Sequence, residues 1–233
     1  MAFNADMHRS YLSCLDEAEL ELLKAGTARC NNLEDESQLS ASIFLLVRAG
    51  SLLRSLLTIL VNGRLDAYEI VLRGFFEAWT LAFELRIKES QSKVAKWHKN
   101  PNKQGLADKP HIQKFLGLNG LPNFPLADPY DSMSAATHAT KSAAKKSVCI
   151  ASALYDPEAQ ASLDEAKNTY LTRAFPENMH RYIWTVVAEH PDLVSIGTNV
   201  SAMPKAMQFL MWMDRAKSQL DSQAAARTLP GSG

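Results

Sequence analysis

The chain has no net charge: 25 lysines and arginines stand against 25 aspartates and glutamates in 233 residues. That balance excludes a protein that grips nucleic acid through bulk positive charge, since such domains carry a basic excess. Cysteine is scarce too. Cys14, Cys30 and Cys149 are dispersed and form no CxxC pair, which excludes a disulfide framework or a zinc knuckle. They read as buried small side chains in a reducing cytoplasm. Ten glycines and ten prolines are few for an all-β domain of this length, where turns recur every ~8–12 residues. The opening residues Met1-Ala2-Phe3-Asn4-Ala5-Asp6 lack the basic and apolar regions of a secretory signal. There is no Walker loop, dinucleotide fingerprint, zincin motif, EF-hand or nucleophile elbow, so no cofactor and no metal is expected.

What is present is apolar and helical. A hydrophobic share of 46% excludes a largely disordered chain, and the length suits one domain with a sizeable core. The greasiest window, 43–61, is interrupted by Arg48, Ser51, Arg54, Ser55 and Thr58. An arginine at the centre of a membrane helix costs roughly 2.5–3.5 kcal/mol on insertion scales, so the window reads as a core helix and no membrane association is expected.

Periodicity predicts a first helix over about 4–24, closed by Gly26, then an acidic polar loop. A second helix over about 37–62 stops at Asn62-Gly63, two residues that tolerate a helix C-cap and reversal. A third runs over about 65–89, and so short a turn makes the two antiparallel neighbours. The stretch 90–128 carries Pro101, Pro110, Pro122 and Pro125 and reads as irregular, with short packed helices. Asp128-Pro129 is an N-cap with proline at the first helical position, opening an alanine-rich helix to about 145. Residues 148–154 fit either a short strand or a helical extension. Asp156-Pro157-Glu158 opens another helix to about 173, Pro176-Glu177 the next to about 189, and a last helix covers about 204–222. The fold is therefore expected to be an all-α bundle around the 37–62 and 65–89 hairpin. It forms one domain over 1–222 with a disordered tail over 223–233.

Inside the hairpin the polar residues fall in narrow stripes. Arg48, Ser51, Ser55, Thr58 and Asn62 follow a 3-4 spacing, as do Asp66, Glu69, Arg73, Glu77, Thr80 and Glu84, which puts each set on one helix face. Each stripe is either the solvent edge of its helix, with Glu69-Arg73-Glu77 an i,i+4 ladder, or one wall of a shared polar interior. In an interior, arginine and carboxylate must pair. The alanine-rich helix adds a third row, Asp131, Ser134, His138 and Lys141.

These residues carry a resemblance. The run from Tyr68 to Ala78 contains Leu72-Arg73-x-x-x-Glu77, and a later one reads Tyr130-x-x-x-Ser134-x-x-x-His138. Together they resemble an uncharacterised group of bacterial all-helical domains, distantly similar to HEPN helical bundles, over about 37–145. The resemblance implies a bundle in which Arg73, Glu77 and His138 meet, in a setting of stress or phage defence. HEPN ribonucleases use an arginine and a histidine four to six residues apart near the start of a late helix, and the pair at that spacing here is Arg173-x6-His180. Pro176 lies between the two and predicts a break in any helix carrying both, and Ala174 follows the arginine where a polar residue is usual. Glu177-x-x-His180 is a single copy of the motif that a di-iron bundle needs twice.

The last helix concentrates Met203, Met207, Met211 and Met213, half of the eight methionines, around Phe209, Leu210 and Trp212. Such side chains make an adaptable apolar surface. They face either the core or a partner, and Met207, Leu210, Met211 and Trp212 are the candidates for a homodimer or protein-partner contact. Lys93, Lys96, His98 and Lys99 around Trp97 read as a solvated patch, or as a local RNA contact. The expected function is a non-catalytic helical module that self-associates or docks a partner. The alternative is a metal-independent, HEPN-like ribonuclease or other RNA-acting enzyme.

Overall fold

The computed structural model describes residues 2–29, 37–86, 91–99, 141–188 and 195–228. Among these the chain is all α-helical, with no strand. The helices are α1 (Ala5–Arg29), α2 (Gln38–Val61), α3 (Leu65–Arg86), α4 (Gln91–Lys99), α5 (Lys141–Ser152), α6 (Pro157–Thr169), α7 (Phe175–Val187) and α8 (Pro204–Thr228).

The α2–α3 pair is the frame. Ser37 caps α2 by accepting from the Ser40 amide, satisfying a donor that the first helical turn leaves orphaned. At the other end Gly63 has φ +71°, a conformation that costs glycine nothing, and the chain reverses into α3. Leu46, Leu53, Leu56, Leu57 and Leu60 of α2 and Phe75, Phe76 and Trp79 of α3 are buried in one core with residues of α1, α7 and α8. α1 lies against α2, α8 against α1, α7 against α2, α1 and α8, and α5 against α3, with α6 beyond it.

Three boundaries differ from the sequence reading, and one left open there is decided. Gly26 does not end α1, which runs to Arg29. A Cβ there would sit 3.3 Å from Cγ2 of Ile43, so this glycine serves the close approach of α1 to α2. The stretch 148–154, open between a short strand and a helical extension, takes the second form: α5 is helical to Ser152. α8 continues past 222, the expected start of a disordered tail, to Thr228; the added run Gln223-Ala224-Ala225-Ala226-Arg227 is built from strong helix formers. Pro176 does not break the chain. α6 and α7 join through a π-helical turn, Tyr170–Ala174, in which the Phe175 amide reaches back five residues to the Tyr170 carbonyl. Proline lacks an N–H and its ring crowds the carbonyl four residues back; widening the turn accommodates both.

Close packing fixes α7 on the frame. The Tyr182 side chain is fully buried over Gly50 of α2, where a Cβ would lie 2.5 Å from its hydroxyl. Arg86, also fully buried, donates to the Thr185 and Ala188 carbonyls at the C-terminal end of α7. Carbonyls at the C-terminal end of a helix lack partners within it, and a cation suits that end of the dipole. Burial pushes the Arg86 guanidinium down to about 10, which still leaves it charged. Trp79 completes the joint with a 2.7 Å hydrogen bond to the Thr185 hydroxyl.

α2 is long and apolar enough to cross a membrane by length and composition, and half of its most apolar window is buried in the fold. The face it leaves outward carries Arg48, Ser51, Ser55, Thr58 and Asn62, all exposed.

Candidate functional site

The polar stripe of α3 is the first candidate, and its residues lie between elements. Arg73 donates through Nε to Glu77 Oε1 at 2.9 Å, and the two side chains are 27% and 24% exposed, neither free in solvent nor sealed. One turn earlier Glu69 accepts from Lys146 of α5 at 2.5 Å. At the far end Glu84, buried, accepts from Lys93 of α4. Between them Thr80 is buried and its hydroxyl has no hydrogen-bond partner among the described residues. Arg73 and Glu77, expected together, are brought together. His138, expected to join them, lies outside the described residues, as do Asp131 and Ser134.

The second candidate was expected to pair Arg173 with His180. Arg173 is exposed in the π-turn, while His180 is buried on α7, so the two side chains do not share an environment. The partners of His180 come from α8 instead. Its Nε2 is 2.9 Å from Asp214 Oδ1 and its Nδ1 is 3.3 Å from Lys217 Nζ. Burial, then the nearby Lys217, lowers the imidazole pKa below its usual range. The neutral ring therefore donates from Nε2 to the carboxylate and accepts at Nδ1 from the ammonium. Both nitrogens are engaged, so the ring has no position left to take a substrate proton without displacing Lys217. In this arrangement the cluster ties α7 to α8.

The third candidate is the outer side of α8, where the four expected partner residues separate. Leu210 is buried in the core with Met203, Phe209 and Met213, and Met207 is half-buried against it. Met211 and Trp212 point outward, 52% and 46% exposed. Trp212 forms part of the wall of a cleft of about 350 Å³ at the seam of α1 and α8, with Met7, Ser10, Tyr11, Lys205, Gln208 and Phe209. The seam is well held: Glu17 of α1 accepts from the Lys205 and Ala206 amides at 2.8 and 3.0 Å, a carboxylate at the positive end of α8.

Cysteine departs from the sequence reading. Cys14 is buried as expected, and burial lifts its thiol to about 11, leaving it inert as a nucleophile. Cys149 is exposed on α5, because α5 presents its outer face there. Cys30 lies outside the described residues. Of the basic patch around Trp97, Val94 is buried beneath α4 and Lys93 is committed to Glu84. Among the described residues no group of three or more His, Cys, Asp or Glu is placed to hold a metal.

Sequence reasoning missed Lys146, Asp214, Lys217 and Arg86, and it read Lys93 as part of a solvated patch or RNA contact where it pairs with Glu84. Glu84 and Lys93 are 9 residues apart, Glu69 and Lys146 77, and His180 and Asp214 34. No helical spacing relates them. No family model, curated protein or solved structure matches the chain.

Proposed function

We propose that this chain is a non-catalytic helical module that associates with a second copy of itself through the outer side of α8. The observation that carries the reading is the exposure of Met211 and Trp212 beside the α1–α8 cleft. Large flat side chains beside a pocket are the usual anchors of protein contacts, and methionine adapts its shape to a partner. The engagement of both His180 nitrogens favours this reading over the RNA-acting one.

The test is a concentration series of the full chain by light scattering, with Trp212→Glu alongside. Self-association gives a mass that rises with concentration and falls to the monomer in the variant. In parallel, the chain and its His180→Ala and His138→Ala variants are incubated with total RNA without added metal. Cleavage by the parent that either variant loses would overturn the non-catalytic reading.

A further inference from the structure

α8 is held in two unequal halves. The first is anchored several times over: Glu17 accepts from the Lys205 and Ala206 amides, and Ala206, Phe209, Leu210 and Met213 are buried. Beyond Met213 the ties run out. Among the described side chains from Asp214 onward none is buried, and Ser218 and Ser222 bond only back to their own helix. The two that reach another helix, Asp214 and Lys217, both bond to His180 of α7. A segment with so few buried contacts opens at low cost, and one buried ring decides whether it stays docked.

The ring holds both partners only while it is neutral. A lysine ammonium has donors and no acceptor, so Lys217, with Nζ 3.3 Å from Nδ1, needs a free lone pair there. A proton arriving at Nδ1 takes that lone pair. It leaves an N–H facing an ammonium, two donors and two positive charges with no acceptor between them. Nε2 keeps its proton and still donates to Asp214, now through a charge-assisted bond. Protonation therefore spares one tie and expels the other.

Neighbouring charges do not relieve this conflict. Arg181, next along α7, is bound to Glu177 and Asn178 and adds to the positive field at the ring. The charges of α1 and α2 that act on α7, Glu19 and Arg54, bear on Tyr182. Two residues on from His180, Tyr182 stands on the opposite side of the helix. Arg173 of the π-turn is exposed.

We propose that His180 is a proton-operated latch: protonation at Nδ1 ejects Lys217 and frees the end of α8 beyond Asp214. The latch is independent of the self-association proposed above, whose anchor Trp212 lies in the firmly held half. Acid favours the open form, because burial and then Lys217 make the docked ring a weaker base than a solvated one. Loosening sets in as the pH falls through the ordinary imidazole range, about 6.5, well above the range of about 4 in which carboxylates titrate. Each unit by which docking lowers the ring's pKa is about tenfold in the opening equilibrium.

The experiment follows the isotope-labelled full chain by NMR from about pH 7.5 to about 5, beside His180→Gln and Lys217→Met. The His180 ring signal is the one that His180→Gln removes. Glutamine supplies an amide donor and a carbonyl acceptor but does not titrate, so backbone amides 215–219 should stay ordered at every pH. Lys217→Met, at an exposed position, should leave them mobile at every pH. It should also raise the midpoint of the ring, since Asp214 remains and the like charge is gone. The parent should pass from the first behaviour to the second as its own ring titrates. Three results would each overturn the latch: parallel loosening of the parent and His180→Gln, amides that stay ordered while the ring titrates, or an unchanged midpoint in Lys217→Met. Should the glutamine variant not fold, the midpoint and the amides of Lys217→Met decide alone.

Discussion

The two polar stripes of the central hairpin have the same spacing and opposite fates. On α2, Arg48, Ser51, Ser55, Thr58 and Asn62 are exposed, and the last three bond back to their own helix: Ser55 to the Ser51 carbonyl, Thr58 to Arg54, Asn62 to Thr58. On α3, Glu69 and Glu84 are bound by lysines from α5 and α4, Arg73 and Glu77 are half-covered, and Thr80 is buried. Periodicity tells which residues share a face. It does not tell what that face meets, which depends on where cations far along the chain come to rest. A stripe of hydroxyls can be solvated or back-bonded at little cost, whereas a stripe of carboxylates inside the fold must be met by cations.

The largest effect that this contrast predicts is at the Glu84–Lys93 pair, and it is lopsided. The Glu84 side chain is 5% exposed and that of Lys93 48%. Lys93→Met removes a cation from a buried carboxylate, and taking one partner from a buried group costs about 1–3 kcal/mol. Glu84→Gln frees a lysine that can turn to water, and costs about 1 kcal/mol or less. Urea unfolding of the two variants measures the difference. Equal costs would mean that Glu84 is better solvated than its burial says, and the two stripes would differ less than they appear to.

How far the sequence could be read follows from the same physics. The 37–62 and 65–89 hairpin was legible because Asn62-Gly63 is local turn chemistry and the apolar faces repeat within each helix. The Asp156 cap was legible for the same reason: its carboxylate accepts from the Glu158 amide, two residues on. At the α6–α7 junction the helix opening at Pro176-Glu177 was legible, but the expected break between Arg173 and His180 was not borne out, because a π-turn, which packing selects, carries the helix through. Gly26 was misread because a helix stop and a close contact both favour glycine. Of the candidate site, the Arg73–Glu77 pair was visible at i,i+4. Lys93, Lys146 and the Asp214–His180–Lys217 cluster were not, since each joins different helices.

The Arg73–Glu77 pair should fall between the extremes. With about a quarter of each side chain exposed, it keeps part of its solvent screening. A double-mutant cycle with Arg73→Met and Glu77→Gln is expected to give a coupling of about 0.5–1 kcal/mol, above the ~0.3–0.5 kcal/mol of an open i,i+4 helix pair. A coupling indistinguishable from zero would put this part of α3 with the α2 stripe.

The smallest effect belongs to α2 itself. Ser55→Ala and Thr58→Ala each remove a hydroxyl that is exposed and bonded only to the preceding turn. Alanine is the better helix former by a few tenths of a kcal/mol, and surface changes of this kind stay within about ±0.5 kcal/mol. Both variants should therefore unfold at or slightly above the urea midpoint of the parent. A loss above about 1 kcal/mol at either position would mean that the α2 face is covered in solution. A second copy would then be docking on the hairpin, and not on α8.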